Sequence, residues 1–281
     1  MTDCQGLATS MFFESDWLER LLEDCEREAI DYRNVKLLKQ EGRSAVWNVC
    51  VMLGCVSHGV PGQACRLLER YLYKFISTHE NISDPETQLV LIETIMPRLL
   101  LMITCCVQLA AKMSSADTYN NASLVRIALL TKGVSYTAEE INSTEAEIFK
   151  ALDFRVPLWT SVDMGELLAA ELKLPTQVIK AVTLVVDLAE YYRADIEQKV
   201  LWAANLSPTT QSSVRSLHLS AGAVAAAVRL SPHRVDPVPT LGRLLRLPHA
   251  YIECLRDVIL KKLLSNHTTP TMLKRKSSLS S

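Results

Sequence analysis

Three observations predict an all-α fold. Apolar side chains recur at the helical spacing from end to end, no stretch alternates convincingly with the period of two that a half-buried strand requires, and glycine is scarce, 9 in 281 residues. Few glycines leave few positions for left-handed turns, which also argues against glycine-rich phosphate loops. The length suffices for one large or two small domains, and 48% hydrophobic residues exclude a disordered or fibrous chain.

The first helix is expected over residues 14–29. Trp17, Leu18, Leu21, Leu22 and Cys25 form one stripe there, with acids opposite. This end of the chain is acidic: residues 1–40 hold nine Asp or Glu against five Lys or Arg. A second helix, about 43–56, turns Ala45, Val46, Val49, Cys50 and Leu53 inward. His58-Gly59-Val60-Pro61-Gly62 ends it, and Pro61 suits the first turn of a third helix reaching Ser77. Ser83-Asp84-Pro85-Glu86 caps the start of a long apolar run that ends near Met113, and Pro97 should kink or restart it. The uncharged part, residues 99–111, is shorter than the roughly 20 residues a bilayer span needs, so a helix buried on all sides by other helices is expected. A polar loop (114–120), a helix from Ala122 to Lys132 with Gly133 as its cap, and a helix from Thr137 to about Leu152 complete a five-helix unit of about 110 residues.

After the break Asp153-Phe154-Arg155-Val156-Pro157 a second helical series is expected at 161–172, 176–203, 209–229 and 249–265. The Pro-rich stretch 230–240 separates its last two members. The small residues of 220–228 permit close helix packing. The tail beyond Asn266 lacks apolar mass and is expected to be disordered. The division is 1–40, an acidic helix and flanks; 41–156, the five-helix unit; 157–266, the second series; and 267–281, the tail.

Chemistry-bearing motifs are sparse. The chain has no GxSxG, HExxH, GxxxxGK[ST] or GxGxxG pattern, and its six histidines fall in unrelated segments. No catalytic residue, cofactor or metal site is predicted, and the expected activity is non-enzymatic. The eight cysteines include the cluster Cys50, Cys55 and Cys65 near His58, whose spacing fits no paired CxxC zinc site. The N-terminus carries acids rather than a basic stretch before its apolar residues, unlike a secretory signal, so the cysteines are expected as reduced core residues. A balance of 30 basic and 31 acidic side chains argues against a DNA-neutralising surface.

Two charged residues stand apart by their settings. Lys112 ends the most hydrophobic helix, at Leu109-Ala110-Ala111-Lys112, and Glu145 lies in the helix after the next loop. Their plain readings are a cation complementing a helix C-terminus and a solvated face residue. The order from Lys112 onward is a polar loop, a short helix, then Tyr136, Thr137, Ile141, Glu145, Ile148, Phe149, Lys150, Leu152 and Phe154 in the pattern YTxxxIxxxExxIFKxLxF. That pattern resembles a cyclin box. The likeness covers about 41–172, and beyond that only the helical pattern is shared. It implies an all-α cyclin fold, a five-helix box followed by a more divergent repeat. Cyclins hold a Lys and a Glu at these two places, where they clamp the C helix of a cyclin-dependent kinase. By that resemblance Lys112 and Glu145 would bind the partner, with Leu109, Ala146, Phe149, Phe154 and Val156 supplying apolar surface.

CVQLAAKMS followed by YTAEEINSTEAEIFKALDFRVPL is further similar to the cyclin N-terminal domain-containing proteins that promote meiotic crossovers. That likeness implies a role in crossover designation or maturation, on meiotic chromosomes in the nucleus, with a cyclin-dependent kinase and recombination factors as partners and neither direct sequence-specific DNA binding nor a membrane. The alternatives are an ordinary kinase-activating cyclin of the cell cycle or transcription, and an adaptor that keeps the fold without activating a kinase. Met113, Ser114 and Ser115 stand where typical cyclins place an aromatic and two acids, and Arg43-Ser44-Ala45-Val46 only loosely resembles the family's substrate-docking patch. Ser207, Ser231 and Thr269, each before Pro, are candidate phosphosites, and Lys274-Arg275-Lys276 is a candidate nuclear-import signal.

Overall fold

A computed structural model describes residues 18–27, 37–56, 58–78, 84–114, 122–157, 159–203, 214–232 and 235–265. Among them there are helices and no strand. A segment at 18–27 (α1) precedes α2 (Gln40–Leu53), α3 (Val60–Ser77), α4 (Pro85–Ile95), a 3-10 turn (Met96–Arg98), α5 (Leu99–Met113), α6 (Ala122–Leu130) and α7 (Ala138–Ala151). Then follow α8 (Ser161–Glu171), α9 (Thr176–Tyr191), α10 (Arg193–Ala203), α11 (Ser216–Leu230), α12 (Val238–Leu245) and α13 (His249–Ser265).

Two helices explain the architecture. In α5 every residue from Leu101 to Ala111 is buried, because α2, α3 and α7 surround it. In α11 every residue from Leu219 to Val228 is buried beneath α8, α9 and α13. Each is hydrophobic all round, as a helix enclosed by others must be. Two cores result, one running from Val46 to Val156 and one from Val162 to Ile259. The small side chains of α11 serve the close packing expected of them: a Cβ on Gly222 would lie 2.6 Å from the Leu255 Cβ. The acidic N-terminal helix joins the second core through Leu18, Leu21 and Cys25.

Proline and capping fix the boundaries. Pro97 sits in the 3-10 turn that separates α4 from α5. Leu89–Met113 is apolar and long enough to cross a membrane by length and composition, yet that 3-10 turn interrupts it, and α5 is packed in the first core. The expectation of burial on all sides fails for α4, where Leu89, Val90 and Ile92 are exposed. Thr137 and Thr160 each close a capping box, with Glu140 and Asp163 respectively.

The second series departs from the sequence reading in three places. The helix expected over 176–203 is two helices, α9 and α10, with the break at Tyr192. The helix expected from 209 begins at Ser216, since Val214 and Arg215 lie before it in non-helical backbone. An additional helix, α12, begins inside the Pro-rich stretch, where Pro239 occupies a first-turn position that needs no amide donor. The 14–17 and 28–29 ends of the first predicted helix, most of the 114–120 loop, Cys4, Ser207, Thr269, Lys274-Arg275-Lys276 and the tail lie outside the described residues.

The described cysteines Cys50, Cys65, Cys105 and Cys106 are buried thiols. Burial pushes Cys65 and Cys105 up to about 12, which holds both as unreactive thiols at neutral pH.

Asp187 on α9 gives a pH-dependent term. Burial, with Glu190 and Glu166 nearby, raises its carboxyl from 3.8 to about 7. The folded chain therefore holds a proton that the unfolded chain releases. This stability is fully present below the ordinary aspartate value and is lost as pH rises through about 7. Asp187→Asn is expected to melt with the native chain below about pH 4 and to gain roughly 1–2 kcal/mol by about pH 8, after allowing for partial exposure. Thermal melts at the two pH values check it, and an equal effect at both would show that Asp187 does not titrate in this range.

Candidate functional site

The two charged residues singled out in the sequence meet. Lys112, in the last turn of α5, donates from Nζ to Glu145 Oε1 at 2.5 Å, across 33 positions of sequence. The Lys112 side chain is 51% exposed and that of Glu145 16%. Lysine therefore faces outward, while the glutamate sits lower against the helix surface.

The position of Glu145 follows from what holds α7. On the inner side of the helix, Ile141, Thr144 and Ile148 are buried against the first core. At its start, Tyr136 donates to the Pro97 carbonyl at 3.1 Å. At its middle, Glu147 accepts from the Tyr71 hydroxyl at 2.6 Å and from Arg98 at 3.0 Å, and Arg98 also donates to Thr144 Oγ1 at 3.3 Å. Burial pushes the Glu147 carboxyl up, but the hydrogen bonds from Tyr71 and Arg98 outweigh it, so it lies below the ordinary glutamate value. These contacts join α3, the 3-10 turn and α7 and fix the rotation of α7. The sequence does not single out Glu147. The pairing joins positions 76 and 49 residues apart, which no local spacing reveals.

The chain after α7 presents the aromatic part. Asp153 and Phe154 both take left-handed backbone, φ 53° and 58°, a conformation that costs side-chain-bearing residues about 1–2 kcal/mol each. The reversal brings the Phe154 ring edge-on to Phe149 at a centroid distance of 5.1 Å. The Lys74 ammonium pairs with the Asp153 carboxylate across the turn. Phe154 is left 62% exposed, Phe149 half-buried and Ala146 exposed.

Leu109 and Val156, expected as surface beside the pair, are instead buried members of the first core. Leu109 lies in the helix that the core encloses on all sides, and Val156 begins the connection that closes the box, so both underlie the face. Next to Lys112, Met113 is 41% exposed and the Ser114 hydroxyl turns back to the Ala111 carbonyl at 3.1 Å. Arg43, in the loosely matching docking patch, is buried and bonded to Glu69 and Glu190, while Trp47 stacks edge-on with Tyr191. Its guanidinium is thus committed to the interior. Ser231, the one candidate phosphosite among the described residues, ends α11 with its hydroxyl on the Val228 carbonyl at 2.8 Å.

Residues 63–157 match the cyclin N-terminal domain family. The human (Homo sapiens) protein named Cyclin N-terminal domain-containing protein 1 is 28% identical over 123 residues, a stretch covering 41% of this chain and 37% of that protein. The chain therefore spans well under half the length of the relative it matches.

Proposed function

We propose, for a chain that carries a cyclin N-terminal domain in an all-α cyclin fold, that it is a non-catalytic regulator that binds a cyclin-dependent kinase through the Lys112–Glu145 face. The carrying observation is the pair itself: two charges from distant segments, held in fixed geometry beside exposed Phe154 and half-buried Phe149. A few oriented charges on an apolar ground give an interface both register and affinity. A rigid helical face of this kind acts by preferring one position of a mobile partner helix, and it shifts that helix by no more than its difference in affinity for the two positions. The likeness to the cyclin N-terminal domain-containing proteins that promote meiotic crossovers supports a reading in which this regulation serves meiotic recombination, in the nucleus, on chromosomes. There the chain would work with recombination factors toward crossover designation or maturation.

A second reading, an adaptor that binds without activating, is favoured by the stretch after Lys112. Met113 and Ser114 put no carboxylate beside the lysine, so the negative charge that typical cyclins set there is missing. Affinity purification of the full-length chain from germ cells, followed by a phosphorylation assay on a histone substrate, separates the two. A stoichiometric kinase with stimulated activity supports the regulator. A bound but unstimulated kinase, or recombination factors alone, supports the adaptor. Absence of both partner classes would overturn the proposal.

A further inference from the structure

A cleft of about 800 Å3 opens at the C-terminal end of α11, between that helix, the connection to α12 and Arg256 of α13. Ser231 and Pro232 lie in its wall, with Arg229 and Asp236. Although α11 is buried as far as Val228, its end is open: Arg229 and Leu230 are exposed and Ser231 is half-buried. A proline at the next position disfavours helical backbone for Ser231, which is extended instead, φ -91° and ψ 161°. Its hydroxyl donates to the Val228 carbonyl at 2.8 Å, a local bond at a helix end that opens more readily than one in the core. A serine before proline, on extended backbone at an open helix end, is in the form that a kinase takes as substrate.

Two guanidinium-bearing residues share the cleft with that hydroxyl. Arg229 belongs to the last turn of α11. Arg256 donates from Nε to Asp257 at 2.7 Å and lies also in the field of Glu253 and Asp236. The Asp257 side chain is 62% exposed, so this pair is open to water and exchanges readily for a stronger anion. The Asp236 carboxylate is engaged at the start of α12, where it accepts from the Val238 amide at 3.1 Å. The macrodipole of α11 and Asp236 both oppose a phosphate at this place, and two planar guanidinium forks favour it.

We infer that Ser231 is a phosphorylation site for a proline-directed kinase and that Arg229 and Arg256 hold the phosphate, tying the end of α11 to α13. In the transfer the Ser231 Oγ attacks the γ-phosphorus of ATP and an Oγ–P bond forms. The bond from that phosphorus to its bridging oxygen breaks, ADP leaves, and the hydroxyl proton passes to the carboxylate base of the kinase. The esterified oxygen no longer donates to the Val228 carbonyl. In place of that bond, a group of about -1.5 to -2 charges stands beside two arginines from different helices. The inference stands on the cleft alone and does not require the Lys112–Glu145 reading.

The test incubates the full-length chain with ATP, Mg2+ and a purified proline-directed kinase that needs no cyclin, and maps the phosphate by mass spectrometry of peptides. Ser231 is expected to be modified, and Pro232→Ala to lose most of that modification. Lys112→Glu, outside the cleft, should be modified like the native chain, so failure of the kinase-binding reading and failure of this one remain distinguishable. A second measurement reads the clamp. The phosphorylated chain carrying Ser207→Ala and Thr269→Ala is titrated by phosphorus NMR, which follows the second ionisation of the remaining phosphate, about 6 when nothing holds it. Two nearby cations should lower that midpoint by about one unit or more, and Arg229→Gln or Arg256→Gln should return it toward about 6. No phosphate at Ser231, a midpoint at or above about 6 in the native fold, or a midpoint unmoved by both arginine variants would each overturn the inference.

Discussion

Lys112→Glu and Glu145→Lys are each expected to abolish capture of a cyclin-dependent kinase by the full-length chain while leaving its helical content unchanged. The fold should survive because the pair is a surface pair, with Lys112 half in water, and such pairs contribute about 0–1 kcal/mol to stability. Binding should not survive. A charge that becomes desolvated at an interface costs about 2–5 kcal/mol when its partner is lost, a factor of roughly 30 to several thousand in affinity. Each swap also sets two like charges side by side. The double exchange, Lys112→Glu with Glu145→Lys, restores attraction within the chain and reverses its polarity toward the partner. If Lys112 donates to carbonyls of the kinase, as the cyclin resemblance implies, the double variant remains unable to bind. Recovery in the double variant would mean that the pair only braces the face. Native binding by both single variants would remove this surface from the interface. Circular dichroism and pull-down of the purified chain with a purified kinase are the two measurements.

Why the pair was legible in the sequence and its supports were not is a matter of which interactions are local. Helix positions follow from spacing within a few residues, so α2, α3, α5, α7 and α13 fall close to where periodicity and caps put them. The Thr137 capping box and the Pro97 turn are local in the same sense. Lys112 and Glu145 were found only because their surrounding residues resemble a known pattern. Charge type alone favoured a helix-end cation and a solvated acid. Phe154 could be named from that pattern, but not its exposure, which depends on two consecutive left-handed residues that carry side chains. The break at Tyr192 was hidden because helical periodicity continues through it. It belongs with the placement of Arg193, whose side chain is drawn into the interior by carboxylates on α9 and α10 and by groups next to α11. A buried charge network has no period, and its residues read individually as ordinary surface charges.

That network yields the largest stability effect expected of the chain. Glu190, 1% exposed, accepts from Arg193 Nη1 at 3.1 Å and from the Ser161 hydroxyl at 2.5 Å, and its main-chain carbonyl accepts from Arg43 at 3.0 Å. Arg193 in turn donates to Glu197 at 2.9 Å, to Ser216 at 3.0 Å and to the Val214 carbonyl. Arg43 reaches Glu69 as well, so the cluster joins α2 and α3 of the first box to α8, α9, α10 and α11 of the second unit. Gly62 lets α3 lie against it, since a Cβ there would come within 3.0 Å of the Glu190 Cγ. Burial pushes the Glu190 carboxyl up, but Arg193 and Arg43, with the Ser161 hydroxyl, outweigh it and hold it below the ordinary glutamate value. It is therefore charged in the folded chain, and its contribution is present above the unfolded glutamate value and lost as pH falls through the folded one. Glu190→Gln keeps the shape but leaves each of two buried arginines with a single carboxylate, Arg43 with Glu69 and Arg193 with Glu197. Removing one partner of a buried ion cluster costs about 3–5 kcal/mol, a large share of the 5–15 kcal/mol typical of a domain, and at this size lowers the melting temperature by on the order of 10 °C. Arg193→Met should destabilise similarly, and combining the two should cost less than their sum, because the double variant no longer buries that pair of charges. Thermal and urea melts of the three variants measure it. Strict additivity, or a loss below about 1 kcal/mol, would show that water or mobile neighbours screen the cluster and that the two helical units are joined by apolar contact alone.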